Sequence, residues 1–412
     1  MADQTWPIIK GDPEVAALIA GETKRQKSVI ELIPSENYVS ADVLAALGSV
    51  FTNKYSEGYP GRRYYGGQQF TDKLEQLAIN RAKRLFSADH ANVQPHSGAS
   101  ANEAVYSAWL QPGDTVLAMD LSHGGHLTHG APVTRSAKLY NFVRYGMKDT
   151  ETGEIDYEAL RALAVKHKPK IILAGFSAYP GQLDYDKFAA IGGEIGALLM
   201  ADMSHIAGLI AGDVAENPLK HGFHVMTTTT HKTLRGPRGG LILSMGVVGN
   251  PLKAPEKSLE NIPTLIDRSV FPGTQGGPHM HTIAAKAVAF NEAMQSEFRE
   301  YAAQVVKNAQ VLANALKEGG LHLVTGGTKN HLILADVYKS FGIDGKQAQE
   351  ALEAEGVIVN ANVVPDDPLP AYRPSGIRLG TPAITTKGLK EADMVVIADR
   401  ILAMLKNYQE PN

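Results

Sequence analysis

A chain of 412 residues, 44% hydrophobic and 20% charged, has the balance of a globular protein with a large core and is long enough for two domains. The formal net charge is −3 and no basic stripe appears, so a nucleic-acid partner is not expected. Cysteine is absent, which excludes disulfides, thiolate metal sites and cysteine nucleophiles.

Residues 1–10 lack a basic segment followed by an apolar run, and no stretch nears the ~20 apolar residues of a membrane span. A soluble cytoplasmic protein without membrane contact is the expectation. Residues 12–31 read as a helix with Val15, Leu18, Ile19 and Ile30, stopped before Pro34. A second helix is predicted over 40–50. Segment 53–67, rich in Tyr, Gly and Arg, has no period and reads as an ordered loop. From 68 onward Phe70, Leu74, Leu77, Arg81 and Leu85 fall at helical spacing, an apolar stripe interrupted by the arginine. Apolar strand-like runs recur at 91–94, 114–119, 139–143, 170–175, 197–202, 225–230 and 240–245, with helices over 99–110, 156–167 and 185–196. That alternation predicts an α/β unit with a mostly parallel sheet. The basic cluster at 166–170 reads as a solvated helix end.

The pattern changes after 280. One or two long helices are predicted over 281–317, closed by Gly319-Gly320. Strands follow at 321–325, 331–337, 357–360 and 376–380, with helices over 345–354 and 387–406 and a Pro-rich loop at 363–374. The expected division is an N-terminal helical arm (1–50), a large α/β domain (51–280) and a smaller α+β domain (281–412).

Four segments carry chemistry. In Thr227-Thr-Thr-Thr-His231-Lys232-Thr-Leu-Arg235-Gly-Pro-Arg238-Gly-Gly240, a β-branched strand delivers a lysine to a Gly-rich turn, as a covalent amine nucleophile requires. Alone, a surface lysine in a turn is the commoner explanation. In Ala197-Leu-Leu-Met-Ala-Asp202-Met-Ser-His205, a carboxylate ends an apolar strand, where α/β sheets bind ligands. It suits a protonated pyridine nitrogen, and it also suits a simple turn cap. Gln94-Pro-His-Ser97-Gly98-Ala99-Ser100-Ala-Asn102 joins a strand to a helix whose N-terminus favours a phosphate. Neither a nucleoside-triphosphate P-loop nor a dinucleotide fingerprint is present. Ser122-His123-Gly124-Gly125-His126-Leu127-Thr128-His129-Gly130 spaces three histidines by three, but its glycines make a loop and no glutamate accompanies them. An imidazole stacked on a flat heterocycle is expected there rather than a metal. Phosphate loop, stacking histidine, strand-end aspartate and strand-end lysine, in that order, are the parts of a fold-type I pyridoxal 5′-phosphate enzyme.

On five long motifs the chain resembles serine hydroxymethyltransferase (glycine hydroxymethyltransferase) of bacterial type. They are Asn53-Lys-Tyr-Ser-Glu-Gly-Tyr-Pro-Gly-Arg-Arg-Tyr-Tyr-Gly-Gly67, His123-Gly-Gly-His-Leu-Thr-His-Gly130, the stretch from Thr227 to Gly240, Phe271-Pro-Gly-Thr-Gln-Gly-Gly-Pro278, and Ser375-Gly-Ile-Arg-Leu-Gly-Thr-Pro-Ala383. The likeness spans about residues 31–386. It implies a seven-stranded large domain and reversible transfer of the serine hydroxymethyl group to tetrahydrofolate, giving glycine and 5,10-methylenetetrahydrofolate. It implies that Lys232 holds the coenzyme covalently, Asp202 meets its pyridine nitrogen and His126 stacks on its ring. It places His205 and Ser177 on the phenolic side, and Ser97 and Gly98 at the phosphate with Gly276 and Gly277 of a second subunit. Ser35 and Arg378 would grip the substrate carboxylate, and His231 would influence specificity. Tyr55, Glu57, Tyr64 and Tyr65 would reach in from the partner of a homodimer, with Glu57 as acid/base. Leu121, Gly125, Leu127 and Asn362, with His126, Glu57 and Tyr64, would line the folate site, and Tyr65 would also serve substrate binding and catalysis. Arg238 is expected to support the cofactor loop.

Four positions depart from the family pattern. Ala99-Ser100 stands where Ser-Gln is usual, which predicts weaker retention of the coenzyme. Ala361 replaces a lysine and Asp366 an asparagine, which makes the folate side more negative. Two other readings stay open on the sequence: a folate-independent threonine or allothreonine aldolase using the same lysine, aspartate and arginine, and a non-catalytic module that keeps the fold.

Overall fold

The computed structural model describes residues 9–408, so most of segment 1–10 lies outside the described residues. All seven apolar runs of the first part form one sheet. They are β1 (His90–Asn92), β2 (Thr115–Met119), β3 (Asn141–Tyr145), β4 (Ile171–Gly175), β5 (Leu198–Asp202), β6 (Val225–Thr229) and β7 (Gly240–Ser244). Their order is β1-β7-β6-β5-β4-β2-β3. Strands β2 to β6 run parallel, and β7 is antiparallel to both neighbours.

The strands read as continuous apolar runs because both faces are covered. Alternation sends Leu117, Ile172, Leu199 and Met226 into one core, and Val116, Ile171, Leu198, Met200 and Val225 into the other. Helix α4 (Gly98–Trp109) packs its Ala101, Ala104, Val105 and Tyr106 into the second core. The same parity puts Asp202, Thr227 and Thr229 on the α4 face.

The N-terminal helices differ from expectation in useful ways. Helix α1 (Pro13–Ser28) starts at an Asp12 cap and buries none of its residues; Leu18 is 74% exposed. Ile30 leaves it to form a short strand, Ile30–Glu31, parallel to Val357–Ile358. Helix α2 (Ala41–Leu47) is shorter than predicted. In α3 (Gln69–Phe86) the sequence stripe is not the buried face. Phe70 and Leu77 are exposed, while Thr71, Glu75, Ala78, Ala82 and Phe86 are buried. Glu75 lies inside because Arg63 Nη2 pairs with it at 2.6 Å. The Tyr/Gly/Arg segment contains a small hairpin, Gly58–Tyr59 against Arg62–Arg63.

The predicted helices of the large α/β part appear as α5 (Tyr157–His167) and α6 (Tyr185–Ile195), and the predicted long helical stretch is two helices, α7 (Met280–Ala293) and α8 (Ser296–Glu318). Helix α8 is about 35 Å long by its residue count. Its Phe298, Tyr301 and Val305 sit in the large core, and its Leu312, Ala313 and Leu316 in a second core beneath a smaller sheet. That sheet is antiparallel, ordered β8-β9-β11-β10, with β8 (His322–Leu323), β9 (Leu332–Asp336), β10 (Asn360–Asn362) and β11 (Gly376–Gly380). In β11, Ile377 and Leu379 point into the core, so alternation turns Arg378 outward towards the large sheet. The last helix starts at Glu391, after a separate turn of helix over Pro382–Thr386. The 166–170 cluster is a solvated helix end as expected, with Pro169 alone buried.

Candidate active site

The site forms at the carboxyl ends of β4, β5 and β6 and is closed by β11. Asp202 ends β5 and is 6% exposed. Its Oδ1 accepts from the Ser204 amide (3.1 Å) and hydroxyl (2.6 Å), and its Oδ2 from Asn102 Nδ2 (2.8 Å) and His129 Nε2 (3.1 Å). Burial alone would raise its pKa, but the His129 bond and the nearby His129 and His126 hold the carboxyl well below the usual carboxylate range. Asn102 is itself fixed. Its Oδ1 accepts from Thr227 Oγ1 at 2.6 Å, and its Nδ2 also donates to Thr128 Oγ1 at 2.8 Å. His129 Nδ1 accepts the His126 backbone N–H (3.1 Å), which leaves Nε2 to carry the proton given to Asp202.

Lys232 lies just beyond β6 and is 8% exposed. Burial moves its amine down to about 8, with Arg378 and Arg238 pushing the same way and Asp202 opposing them. Its backbone is pinned, the carbonyl accepting from Asn37 Nδ2 at 2.9 Å and from the Arg235 amide at 3.1 Å. Arg235 adopts φ 56° and lays its guanidinium over Tyr301, 4.6 Å from the ring centroid. Arg238 is exposed. His231 is half-buried, and burial takes its pKa down to about 3.

Around the lysine stand neutral imidazoles and one arginine. Burial lowers His126 to about 4, so its ring is uncharged at neutral pH; its Nδ1 lies 2.8 Å from Thr128 Oγ1. His205 Nδ1 faces His331 Nε2 at 3.1 Å, and burial holds both rings neutral. The outer nitrogens, His205 Nε2 and His331 Nδ1, are buried without a partner among the described residues. Arg378 donates from Nε to Asn360 Oδ1 (3.0 Å) and from Nη1 to the Ser177 carbonyl (2.7 Å) and hydroxyl (3.2 Å). These bonds fix the guanidinium plane. Burial lowers its pKa to about 10, which leaves it charged. Ser35 is half-buried on the loop beside the end of β11. There the Gly380 amide donates to the Leu32 carbonyl at 2.7 Å, and a Cβ on Gly380 would collide with Pro34.

Ser97 caps α4, its hydroxyl accepting from the Ser100 amide at 3.1 Å and lying 2.9 Å from Ser100 Oγ. Gly98 is required there because a Cβ would sit 2.7 Å from Thr229 Cγ2. The helix N-terminus therefore docks directly on the end of β6. Leu121 and Leu127 are exposed on the loop after β2, and Gly125 packs against the Asp120 carbonyl. Asn362 stands half-buried on β10. Asp366 takes φ 53°, a conformation Asp and Asn both tolerate, so that replacement fits the backbone.

A second cluster is separate in its bonding. Tyr55 OH lies 3.4 Å from Glu57 Oε1, and the Tyr55 and Tyr65 rings meet edge-on at 5.1 Å. Tyr64 packs on Phe271 at 5.6 Å. A Cβ on Gly276 would lie 3.1 Å from Glu57, and one on Gly277 3.3 Å from the Tyr55 ring. Thus Tyr55, Glu57, Tyr64, Tyr65, Gly276 and Gly277 gather together, apart from the hydrogen-bonded network of Lys232 and Asp202.

His126, His129 and Asp202 bring ligand atoms within 4.8 Å of one another, but the His129 proton on Asp202 and the Thr128 amide on His126 Nδ1 already use them. The third histidine of that motif is structural, its Nδ1 accepting the Met147 amide at 3.0 Å. Sequence reasoning gave no role to Asn102, Asn37, His331 or Lys286. The last has a visible signal, one lysine inside the apolar helical run Ile283-Ala-Ala-Lys-Ala-Val-Ala-Phe290.

The residues fit a pyridoxal phosphate. The amine and the carboxylate are buried together, the imidazoles are neutral, and a glycine-lined helix N-terminus lies beside them. Among the described residues no helix is long and apolar enough to cross a membrane. A family model described as serine hydroxymethyltransferase matches residues 8–401.

Proposed function

The chain belongs to the serine hydroxymethyltransferase family, a pyridoxal-phosphate-dependent group of fold-type I transferases. From that premise we propose that it moves the hydroxymethyl group of serine reversibly to tetrahydrofolate, as a cytoplasmic homodimer with shared sites. One observation carries the reading: a buried amine with a lowered pKa (Lys232) beside a buried carboxylate kept ionised (Asp202) at adjoining strand ends.

In this reading Lys232 would hold the coenzyme covalently. Asp202 would accept from its pyridine nitrogen, His126 would cover its ring, and Ser97 and Gly98 would meet its phosphate. His205 and Ser177 would stand on the phenolic side. Bound there, the coenzyme supplies an electron sink for the bond between Cα and the hydroxymethyl carbon.

The chain's own residues do the rest. Asp202 stays ionised because Asn102, Ser204 and His129 all donate to it, so it favours a protonated nitrogen opposite. Arg378, with Nε and Nη1 anchored, offers Nη2 to the amino-acid carboxylate, and Ser35 adds a hydroxyl. That grip sets the orientation of the bond to be broken. Glu57 of the second subunit moves the proton between the serine hydroxyl and folate, with Tyr65 beside it and His231 shaping specificity. Tyr55, Tyr64, Gly276 and Gly277 of that subunit complete the coenzyme and folate walls. Leu121, Gly125, Leu127 and Asn362 flank the folate.

Serine cleavage assayed with and without tetrahydrofolate tests the assignment. Strong dependence on the folate is expected. Equal rates would replace the reading with a folate-independent aldolase.

A further inference from the structure

Among the described residues, Lys286 is the most deeply buried cation that the proposed reaction does not use, at 1% exposure in the middle of α7. Its ammonium donates to three backbone carbonyls: Gly240 at 2.6 Å, Val93 at 2.7 Å and Pro95 at 3.1 Å. These carbonyls frame the connection into α4. Val93 and Pro95 lie on the stretch leading to Ser97, and the Gly240 amide donates back to the Pro95 carbonyl at 3.0 Å. Gly240 packs so tightly on the Ser97 carbonyl that a Cβ has no room. Gly239 faces the lysine itself, since a Cβ there would lie 2.5 Å from Lys286 Cε.

None of the three acceptors is charged. The carboxylate that acts on Lys286 is Glu75, and its oxygens are bonded to Arg63 Nη2 (2.6 Å) and Gln94 Nε2 (2.7 Å). An ammonium whose hydrogen bonds all go to neutral carbonyls is costly to bury, and an apolar side chain would fill the same space more cheaply. Burial accordingly moves its pKa down, to about 7, with Glu75 opposing, so an anion bound nearby would complete its protonation. Burial is the main cause that lowers the pKa of His231, next to Lys232, and of His96, next to Ser97, and the field of Lys286 adds to both. The position therefore makes sense if an anion binds nearby.

We propose that Lys286 is a positioning residue for the phosphate cup: it pins the turn before Ser97 to the start of β7 and sets a buried positive charge behind the N-terminus of α4. This rests on the reading of Ser97 and Gly98 as the phosphate site. Lys286 does not touch the phosphate; it acts through the loop it holds and through its charge.

The test is spectral titration of the coenzyme-free chain with pyridoxal 5′-phosphate and with pyridoxal, which lacks the phosphate. Wild type, Lys286→Met and Lys286→Arg are compared. The preference for the phosphorylated form is expected to fall about tenfold or more in Lys286→Met, the scale of one charge-assisted interaction. Pyridoxal affinity should hardly change, and Lys286→Arg should retain most of the preference. An undiminished preference in Lys286→Met, or equal losses for both ligands, overturns the proposal. Should Lys286→Met not fold, isotope-labelled lysine in the wild type decides: the Lys286 side-chain resonance shifts with pyridoxal 5′-phosphate and not with pyridoxal, and no such difference overturns it. The underlying reading fails in a distinct way, with wild type itself not preferring the phosphorylated form.

Discussion

The two halves of the proposed centre are built in opposite ways. Around Lys232 and Asp202 the polar groups are interior, and Asn37, Asn102, His129, Ser204 and Arg235, from five separate segments, hold them. Around Glu57 the aromatic rings face outward: Tyr55 is 56% exposed, Tyr64 60% and Tyr65 48%, with Phe70 and Leu77 exposed on α3. Each such ring leaves a large apolar area in water, and a patch of them marks a surface meant to be covered. The first half is held by hydrogen bonds within one chain. In the proposed reading the second serves a partner chain, as a shared site in a homodimer would require.

The largest expected effects probe the two halves separately. Lys232→Ala should abolish the yellow colour of the bound coenzyme and lower serine turnover on the order of 10³-fold or more, the scale for losing a covalent nucleophile. Glu57→Gln should keep the colour and lower turnover by about 10²- to 10⁴-fold, as for a lost general acid/base. Mixing the two inactive variants breaks or sharpens the comparison. If Glu57 serves the other chain, a fully exchanged equal mixture regains about a quarter of wild-type activity, since half the dimers hold one intact site. No recovery after verified exchange means that Glu57 serves its own chain.

A smaller effect tests the self-contained half at its substrate end. Arg378→Lys keeps a charge but cannot anchor through Nε and Nη1 while presenting another N–H. The KM for serine should rise about tenfold to a hundredfold, with the coenzyme spectrum unchanged.

The interior of that half also predicts a pH profile. The amine that captures the coenzyme must be neutral, and burial has moved Lys232 down to about 8. Its reactive fraction rises with pH through that value and is nearly complete above it. The rate of pyridoxal 5′-phosphate uptake by the coenzyme-free chain should climb and then level above pH of about 8. An exposed lysine would keep climbing towards ~10.4. A profile still rising at high pH would show that the amine is not desolvated as the fold requires.

The contrast between the halves also explains what the sequence could and could not convey. The seven large-sheet strands were legible because burial on both faces writes each as an apolar run, and Asp202 and Lys232 stood out as polar groups where such runs end. Helix α3 misled for a related reason. Its exposed face carries Phe70 and Leu77, while its buried face carries Glu75, neutralised by Arg63 twelve positions away. No local pattern reveals a burial that depends on such a partner. Asn102 and Asp202 are 100 positions apart, and Asn37 meets the Lys232 carbonyl across 195, so neither role shows in spacing. The exposed half was legible only through resemblance, because a loop without periodicity gives physics little to read.

The smallest expected effect lies where the two halves would meet a common phosphate. Ala99 stands exposed in the first turn of α4, where the usual family hydroxyl is missing. One hydrogen bond to a charged group is worth about 1.5–3 kcal/mol, so Ala99→Ser should tighten pyridoxal 5′-phosphate by about tenfold if nothing replaces that bond. Ser100 is the one candidate to replace it on this turn, and its hydroxyl lies 2.9 Å from Ser97 Oγ. A hydroxyl already paired with the cap is less free to turn to an anion, so a gain in affinity is the expected outcome. Titration of Ala99→Ser and Ser100→Ala separates the cases. If Ala99→Ser leaves affinity unchanged while Ser100→Ala weakens it, the bond has moved one position along the helix rather than been lost.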